Sequence, residues 1–439
     1  MASIEKKISV AILTMIRARR ERPSTVAGTV GRHSSVAAAS VRVRDAQFSD
    51  FGAVAELKSR WGLDPDSLEN WERLWHRNPA LSDAPCDRPI GWVLESDGKV
   101  VGYLGNISLL YHFGDKRLSA VTSSGLVIEP EFRSVSLSLV AAFYRQRSVD
   151  LYLTTTAIEA AGKIARKFKS DALPQEDYET MMFWVLRPYP FAQALMKKLQ
   201  LGSALSVTGA VLTSFVVGSD QVLRRRWPKR SSRGHTVVEI AVNEIGDEFQ
   251  SLWTEKLNEG PRRLLADRSP ATLRWHFDMP GDRGTARVLC CHQNGKLVGY
   301  AVIRNEPPNQ ANGLRRSIIA DMLAKQDDPA ILEALWVAAY DNAKRAGSHV
   351  FEVLGFPHSI RRVCAQWNPY LRRYPACPFY YKAADAVLHK TLSDGAMWYA
   401  TPFDGDTTLW SFGTALQGPA VFKQLKTGHI ITSASSSRI

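Results

Sequence analysis

Val121–Gln146, VTSSGLVIEPEFRSVSLSLVAAFYRQ, decides how the rest of the chain is read. Its β-prone residues Val121, Leu126, Val127 and Ile128 stop at Pro130, a charged turn follows, and Leu137, Val140, Ala141 and Tyr144 then recur at helical spacing. The spacing predicts a strand, a tight loop and a helix. In the loop Arg133-Ser134-Val135-Ser136-Leu137-Ser138, small residues alternate where a helix begins and its first N–H groups lack intrahelical partners. Such N–H groups, with the positive end of the helix dipole, suit an anion.

Outward from this stretch the text reads as strand (41–48), helix capped by Ser49 or Asp50, hairpin with its turn at Asp97-Gly98, and then the stretch itself. A strand Leu151–Thr155 and a helix Ile158–Phe168 follow. That order predicts an α/β (α+β) fold on a mixed sheet. The segment NWERLWHRNP, a strand and DGKVVGY (Asp97–Tyr103) recur as TLRWHFDMPGD, a strand and NGKLVGY (Asn294–Tyr300). Two marks in the same order and at nearly the same offset indicate a tandem duplication of one α/β unit. The expected organisation is a basic N-terminal extension (1–40), a first domain (41–190), a helical and basic linker (191–234), a second domain (235–412) and a tail (413–439).

With 439 residues the chain exceeds one ordinary core, and 45% hydrophobic with 23% charged residues is a globular composition. The formal charge of +13 favours an anionic partner without selecting one. No motif beyond net charge points to nucleic acid. Cys86, Cys290, Cys291, Cys364 and Cys377 form no Cys-x-x-Cys spacing, so they read as reduced thiols partly in the core, and no metal is expected. Residues 1–20 form a basic amphipathic pattern. Residues 201–230 hold the most hydrophobic window, Leu201–Val217, followed by Arg224-Arg225-Arg226-Trp227-Pro228-Lys229-Arg230. Packing between domains and a peripheral membrane contact are both open for that window; its apolar run falls short of the roughly twenty residues of a spanning helix. The expected location is cytoplasmic, with membrane association as a variant.

Pro130, Phe132, Arg133 and the small residues Ser136 and Ser138 give the first copy its family likeness. It resembles the GNAT superfamily of acyl-CoA acyltransferases, whose Arg/Gln-x-x-Gly-x-Gly/Ala loop holds the pyrophosphate of CoA; here both glycine positions are serine. The resemblance implies two tandem GNAT-like domains, each a mixed, mostly antiparallel sheet flanked by helices. It further implies that the N–H groups of Ser134, Val135, Ser136, Leu137 and Ser138 hold the pyrophosphate beside Arg133. Leu126, Val127 and Ile128 would pair with the pantetheine arm, in a gap between splayed parallel strands completed by Leu151–Thr155. Thr156 and Lys163 fall where the family carries an Asn and a Tyr, so neither supplies the expected phenol. Tyr178 and Glu129 are the nearest candidates for general acid and base.

In the second copy, Ser317–Leu323 is followed by Ala324-Lys325-Gln326-Asp327-Asp328-Pro329 and a helix from Ile331. With no glycine and two aspartates, this loop is not expected to hold CoA, and its strands are expected to stay paired. The halves would divide their labour as in N-myristoyltransferases and Fem-type peptidoglycan aminoacyltransferases. Trp367, Tyr370, Tyr374, Phe379, Tyr380 and Tyr381 suit either a sugar or peptide cleft or ordinary packing. His76 and His276, each after a Trp, read as shared packing, and Asp404-Gly405-Asp406 reads as a tight turn. The function expected is transfer of an acyl group from acetyl-CoA or a longer acyl-CoA to an amine or hydroxyl of a sugar, polysaccharide unit or peptide. A non-catalytic scaffold and an aminoacyl-tRNA-dependent transferase of the Fem type are the alternatives.

Overall fold

Two sheets are built in the same order from successive stretches of the chain. The computed structural model describes residues 41–63, 65–82, 88–155, 159–200, 203–228, 235–280, 285–373 and 378–410, all in one unit that begins at Val41. The patterns noted in 1–20 and after 410, with Thr156, Cys86, Tyr374 and Cys377, lie outside the described residues.

The first stretch runs β1 (Val41–Asp45), α1 (Phe51–Arg60), α2 (Leu68–Trp75), β2 (Gly91–Ser96), β3 (Lys99–Phe113), β4 (Lys116–Ile128), α3 (Ser136–Tyr144), β5 (Leu151–Thr154), α4 (Glu159–Lys167), β6 (Asp171–Ala172) and β7 (Thr180–Val185). Two helices, α5 (Pro188–Lys198) and α6 (Ser203–Arg224), lead to the second. It runs β8 (Thr236–Ile240), α7 (Asp247–Leu257), β9 (Leu264–Ala266), α8 (Pro270–Phe277), β10 (Ala286–Gln293), β11 (Lys296–Asn305), β12 (Arg316–Ala324), α9 (Pro329–Arg345), β13 (Val350–Val353), α10 (His358–Ala365), β14 (Tyr370–Arg373), β15 (Tyr380–Ala383) and α11 (Ala386–Thr391).

The predicted hairpins are present in both stretches. Asp97-Gly98 and Asn294-Gly295 turn with φ of 49° and 75°, and 52° and 75°. Positive φ at both turn residues is what a two-residue hairpin needs and what Asp or Asn followed by Gly accepts most readily. The two hairpins even share an irregularity, a register shift between Leu94 and Glu95 and between Cys291 and His292.

The sheets differ from simple repeats in their last strands. The first sheet is ordered β1-β2-β3-β4-β5-β15-β6, with β9 added on β3, and the second β14-β7-β13-β12-β11-β10-β8. Thus β15, late in the chain, pairs with β5 through Tyr380↔Thr154, while β7, from the first stretch, pairs with β13 through Val350↔Val185. Each sheet is completed by a strand from the other stretch. Among the described strand pairs, β4–β5 and β12–β13 are parallel and the rest antiparallel.

Alternation along the strands sorts side chains between two cores. Trp92, Leu94 and Val121 pack with Leu139, Val140 and Phe143 of α3 on one face of the first sheet. Val93, Tyr103, Ile107 and Tyr111 point the other way, into a core shared with Phe249, Tyr300, Trp336, Phe351 and Tyr399. Several of the aromatic residues late in the chain belong to this packing: Trp367 stacks on Trp336 at 4.2 Å and Phe379 and Tyr381 are buried in it, while Tyr380 is buried against Ala165 of α4. Cys290, Cys291 and Cys364 are free and buried, and burial pushes their thiols up to about 12, 11 and 12.

Helix α6 corrects an expectation. Packing of Leu201–Val217 between domains would bury its bulky side chains, yet Val207, Val211, Leu212 and Phe215 are exposed.

Candidate active site

The parallel ladder between β4 and β5 is short: Ala120↔Leu151, Val121↔Tyr152 and Thr122↔Leu153 are its only pairs. Beyond them β4 continues to Ile128 while β5 ends at Thr154, and the Ser123 and Thr154 hydroxyls lie 2.9 Å apart at the fork. Among the described residues the pairing does not resume beyond that point. On its other edge β4 remains paired to β3, with a bulge that sets Gly125 and Leu126 against Leu104, between Tyr103↔Val127 and Gly105↔Ser124. Gly125 takes φ +66°, and a Cβ there would lie 3.2 Å from the end of the Lys58 side chain. A bulge re-aims the backbone groups around it, and on its other side β4 has no strand partner here among the described residues.

Past the gap, Pro130–Val135 forms a 3-10 turn leading into α3, where a tight loop was expected. The N–H of Ser136 donates to the Arg133 carbonyl and the Ser138 hydroxyl donates to the Val135 carbonyl at 2.6 Å, so two of the expected anion donors are already engaged. Val135 offers no side-chain cap to α3, and Arg133, Ser134 and Ser138 are exposed around that helix start. An anion here would therefore meet the Arg133 side chain and the open end of a helix rather than a closed ring of N–H groups.

The second copy has the same fork, against the expectation of continuous pairing. β12 and β13 pair only through Arg316↔Val350, Ser317↔Phe351 and Ile318↔Glu352, and the β11–β12 pairing has its own register shift, between Val302↔Asp321 and Ile303↔Ile319. Its gap is filled from within the chain. Tyr399 donates from its hydroxyl to the Met322 carbonyl at 2.9 Å, and Thr401 from its hydroxyl to Asp321 at 2.8 Å. Arg268 grips Asp321 with Nε and Nη2 at 3.0 and 3.1 Å, and Tyr300 adds a 2.7 Å bond. Tyr178 lies here too, so close that a Cβ on Gly355 would fall 2.9 Å from its ring.

The second loop is likewise closed. Asp327 accepts from Lys256 at 2.7 Å and from Arg263 at 2.9 Å, and Asp328 caps α9 through the Ala330 N–H at 2.7 Å. Burial opposes ionisation of Asp327, but Lys256 and Arg263 outweigh it and hold its carboxyl below the usual range. A fixed carboxylate thus occupies the cations of the second loop, while Arg133 of the first stays exposed.

The segment that fills the second gap goes on to the mouth of the first. Gly405 takes φ +74°, and a Cβ there would meet Thr155 at 2.2 Å, so only glycine fits the turn. The next residue, Asp406, accepts from the Thr155 hydroxyl at 2.6 Å, and its own N–H donates back at 3.1 Å. Trp410 donates to the second Asp406 oxygen at 3.3 Å. Arg73 and Arg304 hold this segment in place by donating to the Leu409 and Trp410 carbonyls at 2.9 and 3.0 Å. Because Thr155 directly follows β5, the Asp406 carboxylate stands at the fork. A cleft lined by Ser108, Tyr111, Asp267, Thr272, His276 and Gly405 reaches the residue beside it.

Asp404 is buried next to this point. Burial pushes its carboxyl up to about 6 even though Arg268 pulls the other way. Its Oδ1 and the Tyr111 hydroxyl are neighbours out of hydrogen-bond alignment. The two histidines do not share an environment. His76 is exposed and stacks on Phe48 at 3.9 Å, while His276 is buried with Nδ1 3.0 Å from the Thr408 hydroxyl. Burial, then the charges of Arg73 and Arg268, keep the His276 imidazole neutral.

Glu129 and Tyr178, named from the sequence as base and acid, are not brought together. Glu129 ends β4 and accepts from Arg60 at 2.7 Å, whereas Tyr178 packs on Phe379 and reaches the Thr401 carbonyl at 3.4 Å. Lys163 is exposed on α4. Asp406 and Thr155 were not singled out for this place; the only trace of them in the sequence was the Asp-Gly-Asp turn.

The arrangement is similar to solved acyltransferases. It aligns with a GCN5-related N-acetyltransferase from Kribbella flavida at 12% identity and a TM-score of 0.49, over 79% of this chain and 72% of that one. The corresponding protein from Anabaena variabilis gives 11%, 0.49, 79% and 73%. N-myristoyltransferase of Saccharomyces cerevisiae, solved with bound myristoyl-CoA and inhibitors, gives 14%, 0.48, 82% and 84%. No protein-family model matches the sequence, and no curated protein matches it.

Proposed function

We propose that the protein is an acyltransferase that takes an acyl group from an acyl-CoA and passes it to an amine or hydroxyl of a sugar, polysaccharide unit or peptide. The observation that carries this reading is the forked pair β4–β5, open on the β4 side beyond Thr122 and set beside a buried carboxylate, while the sister fork is filled. The peptide-like amides of pantetheine match the strand edge of Leu126, Val127 and Ile128, and Arg133 with the start of α3 would meet the phosphates. The exposed Ser134 adds a hydroxyl there.

In the transfer, the acceptor nitrogen or oxygen bonds to the thioester carbon, the carbon–sulfur bond breaks, and sulfur leaves as a thiolate that takes up a proton. In this reading Asp406 receives the acceptor's proton, supported by Thr155 fixing one carboxylate oxygen and Trp410 the other. Titration with acetyl-CoA and longer acyl-CoAs in a calorimeter tests the reading. Binding of one acyl-CoA per chain supports it; no binding to any, by protein shown to be folded, rejects it. A non-catalytic scaffold is the second reading, favoured by the engaged N–H of Ser136 and hydroxyl of Ser138. Release of free CoA thiol in the presence of an amine acceptor would reject that one.

A further inference from the structure

Helix α6 carries its bulky apolar residues outward. Val207, Val211, Leu212, Phe215, Val222 and Leu223 are all exposed, Phe215 by 76% and Leu223 by 83%. At 3.6 residues per turn they fall within about half of the helix circumference. The opposite side is small or polar. Gly209 and Ala210 face α5, where Ala210 is buried with Ala192 and Met196, and a Cβ on Gly209 would fall 2.9 Å from the Met196 sulfur. The inward packing is therefore complete, and the apolar half is not what holds the hairpin on the protein. Its root is tied down separately: Gln221 donates to the Val185 carbonyl, and Asp220 accepts from Tyr370 at 2.6 Å and from Arg226 at 2.7 Å.

Charge selects the occupant of this face. From Pro188 to Trp227 there are five cations, Lys197, Lys198, Arg224, Arg225 and Arg226, and one acid, Asp220. Asp220 is already engaged with Arg224 and Arg226. Lys197, Lys198 and Arg225 are exposed, at the tip and the root of the hairpin, and Trp227 is 41% exposed beside the root. A second copy laid antiparallel on the face would set these cations against each other. Helix α6 is long and apolar enough to cross a bilayer, but crossing would drive the tip lysines through the hydrocarbon. Lying flat on an anionic surface satisfies both features at once, with acyl chains against the apolar half, headgroup phosphates at the cations and the indole at the boundary.

We propose that the α5–α6 hairpin is a membrane-surface anchor that seats the protein on anionic bilayers. It holds whatever the chemistry at the β4–β5 fork. The test is flotation of the full-length protein with vesicles of phosphatidylcholine alone and of phosphatidylcholine with phosphatidylglycerol. Wild type is expected to float with the anionic vesicles, less so in high salt and little with the neutral ones. The double variant Leu212→Glu/Phe215→Glu should lower the bound fraction about tenfold, with an unchanged thermal unfolding curve. Lys197→Gln/Lys198→Gln/Arg225→Gln should erase the preference for anionic lipid, and Val387→Glu, at an exposed apolar residue elsewhere, should change nothing. The proposal is overturned if wild type stays with the unbound protein, floats equally with both vesicles, or floats equally well with the double glutamate change. It is also overturned if wild type is a dimer that the glutamate pair converts to monomer, with no flotation.

Discussion

Tyr399 donates its hydroxyl to the carbonyl of Met322, four residues past Ile318, where β12 parts from β13. The chain thereby supplies its own hydrogen bond at a strand edge that, in the first copy, is left to something else. Calorimetry with an acyl-CoA should accordingly return one site per chain, not two. Tyr399→Phe, which leaves the carbonyl buried without this donor, should lower unfolding free energy in urea by about 1–2 kcal/mol and leave that single site in place.

Arg133 is exposed beside the start of α3, and Lys296, at the hairpin turn of the second copy, is an exposed cation outside the second loop. Arg133→Glu should weaken acyl-CoA binding by about tenfold or more, equivalent to about 1.4 kcal/mol, with Lys296→Glu near wild type. Equal losses at Arg133 and Lys296 would remove the phosphate site from the first loop.

On the proposed role of Asp406 as proton acceptor, Asp406→Asn should lower kcat about a hundredfold or more while KM for the acyl-CoA changes little. Thr155→Val should show a smaller loss of the same kind, since it removes only the group that orients the carboxylate. A rise in KM with unchanged kcat would mean that Asp406 binds rather than reacts.

Asp404 should leave a mark on stability against pH. Burial pushes its folded-state carboxyl up to about 6 from an ordinary 3.8. Folding therefore takes up a proton between these values, and the stability this group contributes, full below 3.8, is lost as pH rises through about 6. Urea unfolding across this window should show Asp404→Asn changing less with pH than wild type. Asp50, Asp220, Asp267 and Asp327 are held below the usual range and act in the opposite sense at lower pH, where their stabilisation disappears as pH falls.

The crossing of β7 and β15 predicts that neither half stands alone. A fragment ending at residue 234 lacks β15, the partner of β5, and strands β7 without β13 and β14. It should lack cooperative thermal unfolding, and co-expression with residues 235–439 should restore it.

Much of this was legible along the chain because it depends on neighbours in sequence. Asp97-Gly98 and Asn294-Gly295 specify hairpins through their own φ values, and the run from Leu126 to Tyr144 specifies strand, turn and helix through periodicity. Repetition of Trp-His and Gly-Lys marked two copies before any coordinates. What remained hidden is what depends on residues far apart. Thr155 and Asp406 are separated by 251 positions, Tyr399 and Met322 by 77, and no local pattern records either bond. Nor did composition show which way α6 faces, since the same apolar residues suit a core and a surface until Gly209 and Ala210 are seen against Met196. The sequence by itself determined two strand–turn–helix units, because backbone preference and side-chain period act locally. Only the tertiary structure decided that one fork is filled by Tyr399 and the other carries Asp406, because a single late segment packs between both sheets and has partners in each.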